Sequence, residues 1–242
     1  MSDLSHVSIS ERVSKTQIKQ SRALVYAAFV AGLCSIVYEL LIATTVSFFL
    51  GDSVTYFSVT IGLYMAAMGT GSYSSKYIGE KLVSRFLALE VALAAVGGLS
   101  IPILYFAYAA EGIFMPTYVV LTLAVGFLIG LEIPFLTRLM ENFQTLKSNI
   151  ANILSFDYVG ALVATLAFPF FLLPTFGAYQ SSIILGLVNL SIVLVVSRYF
   201  RHELNQNQSK VRRYAIATTL FLIASLVLAS EALKRWDAAL YS

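Results

Sequence analysis

Seven apolar runs, residues 23–50, 54–73, 86–108, 118–136, 153–173, 178–197 and 214–233, fill most of this 242-residue chain, and fourteen of its sixteen Lys and Arg residues fall in alternate gaps between them. Each run has about the 20 residues that a helix rising 1.5 Å per residue needs to cross a hydrocarbon core of roughly 30 Å. Lipid offers no partner for backbone N–H and C=O groups, and the runs lack the alternation of barrel strands, so helices are the expected spans. The sequence therefore predicts an all-α, polytopic membrane helix bundle of about seven transmembrane helices.

The basic residues set an expected sidedness. Arg12, Lys15, Lys19 and Arg22 precede the first run; Lys76, Lys81 and Arg85 occupy the second gap, Arg138 and Lys147 the fourth, and Arg198, Arg201, Lys210, Arg212 and Arg213 the sixth. The other gaps hold none, so the positive-inside rule puts the N-terminus and the even gaps in the cytoplasm. Lys234 and Arg235 follow the last run and would lie on the opposite side with the C-terminus. Three parts are expected: a cytoplasmic polar tail, 1–22, disordered or a loose surface helix; a seven-helix transmembrane domain, 23–235; and a C-terminal tail or start of a linker, 236–242.

Composition agrees, at 58% hydrophobic and 12% charged residues and a mean hydropathy of +0.80. The net charge of +3 is spread along one face and requires no nucleic acid. Cys34 is alone, which excludes an internal disulfide or a thiolate cluster. His6 and His202, in a tail and a gap, read as surface residues; no metal or other cofactor is implied. Gly51-Asp52-Ser53 reads as a tight turn, Pro116 suits a first helical turn, and Pro174 with Gly177 closes the fifth run. Tyr56, Phe57, Tyr105, Phe106, Tyr108 and Tyr118 sit at run ends as interfacial aromatics do. Small residues four apart, such as Gly126 and Gly130 or Gly160 and Ala164, allow close helix approach.

Chemistry resides in carboxylates inside the runs. Glu39 lies past the middle of the first, and Glu90, Glu132 and Asp157 lie in the cytoplasmic halves of the third, fourth and fifth, with no Lys or Arg deep in any run to neutralise them. A central Asp costs about 2.5 to 3.5 kcal/mol on insertion scales, so such acids face a cavity, hold a cation or stay protonated. Glu90, close to a run end, reads as reaching water or complementing a helix N-terminus. Glu132 stands two residues before Pro134, which frees the Gly130 carbonyl. Tyr38 and Tyr158 flank two of the acids, an arrangement that suits organic cations. Glu39, Glu132, Asp157, Tyr38 and Tyr158 are the candidate substrate-binding residues. The bland alternative has Glu132 and Asp157 bonding neighbouring helices or Arg138, and the tyrosines packing.

Tyr38-Glu39-Leu40-Leu41, Leu50-Gly51-Asp52-Ser53, Gly62, Met68-Gly69-Thr70-Gly71-Ser72, Gly130-Leu131-Glu132-Ile133-Pro134, Asp157-Tyr158-Val159-Gly160-Ala161 and Phe168-Pro169 resemble, in order and separation, the N-terminal membrane domain of membrane-bound spermidine synthases. That domain is described as related to major facilitator transporters, and residues 71–81 weakly echo a facilitator loop. The resemblance covers roughly 23–197, and 236–241 look like the lead into the family's catalytic half. In the family a soluble polyamine aminopropyltransferase domain with a Rossmann-like donor site follows the membrane domain. No stretch here resembles it: Gly69-Thr70-Gly71 lacks a third glycine and a βαβ setting, so the family's catalytic residues have no positions to occupy. The resemblance implies a bacterial inner-membrane protein, either the membrane half of a longer chain or a relative working with a separate aminopropyltransferase. Two functions stay open: binding or transport of a polyamine or related cation, and a non-catalytic anchor. A self-contained intramembrane enzyme is third, for want of a metal set or a nucleophile and base pair.

Overall fold

The apolar runs fold as helices. The computed structural model describes the backbone of residues 2–110, 112–141, 143, 146–204 and 208–240, and the side chains of these except 2–15, 146, 202–203, 208 and 229–240. The helices are α1 (Ser2–Leu50), α2 (Ser53–Ser74), α3 (Leu82–Ala109), α4 (Phe114–Met140), α5 (Leu146–Ala167), α6 (Leu173–Tyr199), α7 (Arg201–Leu204) and α8 (Gln208–Leu240), with a 3₁₀ turn at Ser75–Tyr77 and a π-helical turn at Phe168–Leu172. No strand occurs among the described residues. The polar tail is traced as helix continuous with the first run, while the side chains of His6, His202, Lys234 and Arg235, and those of 236–241, lie outside the described residues.

Local chemistry places several ends where the sequence puts them. Gly51 adopts φ 82°, and Asp52 caps α2 by accepting the Thr55 N–H at 3.0 Å. Pro116 falls in the first turn of α4. At the end of α2, Arg138 donates to the Ile78 and Ser75 carbonyls at 2.7 and 2.5 Å, supplying positive charge where helix carbonyls run out of partners.

The expected count of about seven needs correction. The helical trace continues through the π turn from Leu146 to Tyr199, across a kink at Gly177, so six long helical bodies result among the described residues. Among the described residues, five segments have the length and apolarity to cross a membrane: Thr16–Leu50, Leu82–Ala109, Phe114–Met140, Lys147–Tyr199 and Ser209–Leu228; the second run is not among them. The merged body is not straight. Ser181 Oγ donates to the Leu172 carbonyl at 3.2 Å, whereas nine residues of ideal helix span about 13.5 Å. Gly177, at φ 68° and ψ 176°, redirects the chain there. Pro174 and Gly177 thus stand where one helix gives way to the next, as the sequence expects, although the helical trace runs on across the kink.

α1 is central and touches α2, α3, α4, α5 and α6; α2 lies on α4, α3 on α6, and α8 against α3 and α6. Glycines set the closest approaches. A Cβ on Gly130 of α4 would strike the Met68 carbonyl of α2, one on Gly160 of α5 the Phe29 carbonyl of α1, and one on Gly32 of α1 the Asp157 carbonyl of α5. Backbones in such contact leave neighbouring side chains in the protein interior. Of the aromatics expected at run ends, Phe106 is 70% exposed, but Tyr118 is buried and shares a hydrogen bond with Thr60 Oγ1 at 2.9 Å. Its face of α4 meets α2, which end position alone does not encode.

Candidate functional site

Tyr38 and Cys34, four residues apart on α1, occupy one buried face of the central helix. The Tyr38 ring lies over Gly97 of α3, where any Cβ would collide with it. Toward this face α3 sends Glu90, α4 sends Glu132 and α6 sends Asn189, all at most 2% exposed. Asn189 Nδ2 donates to the Glu90 backbone carbonyl at 2.9 Å, tying α6 to α3.

The Glu90 and Glu132 carboxyl groups come within side-chain hydrogen-bonding reach of one another, and Asn189 sits beside the first. As carboxylates both are acceptors only. Both Glu90 oxygens, Glu132 Oε1 and Asn189 Oδ1 consequently have no hydrogen-bond partner among the described residues, and neither has the Tyr38 hydroxyl, which can donate as well as accept. Buried polar atoms left without partners cost free energy, so this group of acceptors favours a proton, an ammonium group or another cation between them. Arg138 does not meet the need, because its guanidinium is committed to the carbonyls after α2. Among the described residues no three His, Cys, Asp or Glu side chains are grouped to hold a metal.

The other expected residues distribute around this centre. Asp157, half-buried on α5, lies within electrostatic reach of Glu132. Glu39, also half-buried, faces Tyr64 of α2, whose hydroxyl donates to the Ser35 carbonyl at 2.7 Å; Tyr64 is itself within reach of Glu132. The structure thus brings Glu132 and Asp157 together and sets Glu39 on the adjoining face. Tyr158 is 66% exposed on the outer side of α5, away from Tyr38. None of three cavities, between α3, α6 and α8, between α2 and α4, and between α2, α4 and α5, is lined by Glu39, Glu132 or Asp157.

Glu90 is the main correction to the sequence reading. It is fully buried two turns into α3, so it neither reaches water nor complements the helix N-terminus. α3 begins at Leu82, earlier than its apolar run, and that added turn carries Glu90 inward. Asn189 was missed, although a lone amide inside an apolar run is itself a signal of an interhelical bond.

Curated relatives match the chain that builds this centre. It is 40% identical over 172 residues to a polyamine aminopropyltransferase of Leptospira interrogans, covering 71% of this chain and 34% of that protein. It is 41% identical over 183 residues to polyamine aminopropyltransferase 1 of Streptomyces coelicolor, covering 74% and 34%. It is 36% identical over 221 residues to polyamine aminopropyltransferase 2 of Ralstonia nicotianae, covering 88% and 43%. Its homologues are polyamine aminopropyltransferases. The chain spans between a third and a half of the length of these relatives. No protein-family model and no solved structure matches it.

Proposed function

We propose that this chain is the membrane-embedded part of a polyamine aminopropyltransferase system, and that its buried acids hold a polyamine or related organic cation. The observation that carries the reading is the group of unpartnered acceptors at Glu90, Glu132 and Asn189, with no basic side chain among the described residues committed to them. A protonated amine supplies both donors and charge to such a group. Asp157 and Glu39 extend the negative surface toward α5 and α2, where a long polycation would place its further amines, and Tyr38 offers an aromatic face. Homology to proteins named for polyamine chemistry favours this cation class. The basic gaps 74–85, 137–152 and 198–213 orient the domain with these loops and the N-terminus in the cytoplasm of a bacterial inner membrane. Reporters fused after Ser75 and Leu146 then read cytoplasmic, and those after Gly51 and Gly177 external.

The test is calorimetry of spermidine binding to the purified chain and to its Glu132→Gln variant, which keeps shape and removes charge. Loss of a charged hydrogen bond of about 1.5 to 3 kcal/mol weakens binding roughly tenfold to a hundredfold. A second reading, in which the domain only anchors a fused or separate aminopropyltransferase, is favoured by the tight glycine packing and by the absence of these acids from the three cavities. No binding by the folded wild type, or equal binding by both proteins, would establish the anchor instead.

A further inference from the structure

The largest of the three cavities, about 690 Å³, is a groove between α3, α6 and α8, far in composition from the acid site. Its walls are apolar along most of their length, with Leu87, Leu190, Val193 and Ile216 among them, and one end is closed by Arg198, Arg201 and Arg212. The order along the chain explains how the arginines gather. On α6 the apolar wall comes first and Arg198 follows eight residues after Leu190; on α8 Arg212 comes first and the apolar wall follows. Helices joined by a short connection run antiparallel, so the two apolar stretches lie side by side and the basic ends coincide. Leu190 to Arg198 covers about 12 Å of helix. No acidic side chain lines the groove among the described residues.

An apolar slot of this length with positive charge at one end matches an amphiphile whose head is anionic. Resting on the membrane reading above, we infer that the groove binds a phospholipid with an anionic headgroup, its phosphate held by Arg198, Arg201 and Arg212 and an acyl chain lying along α6 and α8. Charge complementarity favours this occupant over a zwitterionic lipid. The apolar wall favours it over free phosphate, which would use only the rim. Arginine suits the head because its planar guanidinium pairs with phosphate oxygens through two parallel hydrogen bonds. The same rim marks the side on which basic loops gather, where anionic lipids attract them.

The experiment uses the full chain, purified in a neutral detergent, and reads its melting temperature on adding phosphatidylglycerol, phosphatidylcholine or inorganic phosphate. Phosphatidylglycerol is expected to stabilise it selectively. In R198Q/R201Q/R212Q the apparent affinity for phosphatidylglycerol falls by about fivefold for each arginine removed. A control that removes three positive charges elsewhere, K76Q/R85Q/K147Q, keeps it. Equal stabilisation by phosphatidylcholine, equal stabilisation by phosphate, or equal loss in both triple variants would overturn the groove. Native mass spectrometry of retained lipid decides the matter if the arginine variant melts too low to compare: retention of phosphatidylglycerol equal to wild type overturns the proposal, and selective loss supports it. Release of the chain from membrane vesicles by alkaline carbonate would overturn the membrane reading, and the groove with it. Retention without any lipid preference overturns the groove alone.

Discussion

The most apolar 18-residue windows of Thr16–Leu50 and Lys147–Tyr199 share a mean hydropathy of 2.0, yet 56% of the first window is buried and only 17% of the second. The fold treats two equally apolar stretches in opposite ways. α1 carries small residues and meets five other helices, so its faces are lined by protein. α5 and α6 turn Leu162, Phe170, Phe171 and Leu194 outward, each more than half exposed. An apolar surface of that extent on a water-soluble monomer would drive association; here it is the surface we assign to lipid. Hydropathy reports dislike of water, and it is silent on whether protein or lipid provides the cover.

The contrast breaks most readily at a glycine. Gly130→Leu forces a side chain into the Met68 backbone and is expected to cost about 3 kcal/mol, as overpacking does. Phe170→Ala, at a position 80% exposed, should stay within about 0.5 kcal/mol. Thermal melting of the two purified variants in one detergent compares them directly, and similar melting would dissolve the distinction between the regions.

A smaller effect sharpens the picture inside the central region. Asn189→Leu removes the donor to the Glu90 carbonyl and is expected to destabilise by about 1 to 2 kcal/mol. Spermidine affinity should fall as well if Asn189 Oδ1 helps to hold the cation, whereas Tyr158→Ala on the exposed face should leave affinity unchanged. An affinity loss in Tyr158→Ala with none in Asn189→Leu would move the binding surface outward.

The smallest effect belongs to a loop between the regions. The Thr55 backbone N–H beside Asp52 holds its carboxyl below the usual carboxylate range. Folding therefore favours the carboxylate. This contribution is complete above the unfolded value of about 3.9 and is lost as pH falls through the lower folded value. Asp52→Ala should thus differ slightly from wild type in melting near neutral pH and converge with it in acid; parallel profiles across that range would remove the cap from the account.

Much of the molecule is legible without coordinates. Apolar runs too long for anything but helix, Gly51 and Asp52 at a turn, Pro116 in a first turn, and acids lacking deep basic partners all follow from residue chemistry acting within a few positions of the chain. Other features required the tertiary structure. Glu90, which reads as a residue at a run end, becomes the buried partner of Glu132 because α3 starts early and packs on α6. Glu39, the acid deepest in its run, meets Tyr64 because α1 turns that face to α2. Tyr118 enters the core, and the turn at Gly177 brings Ser181 back against the Leu172 carbonyl. Sequence determined what each segment is, since helix formation and distaste for water are local properties. Tertiary structure decided which faces meet, because that depends on where glycines such as Gly130 and Gly160 let one backbone come up against another.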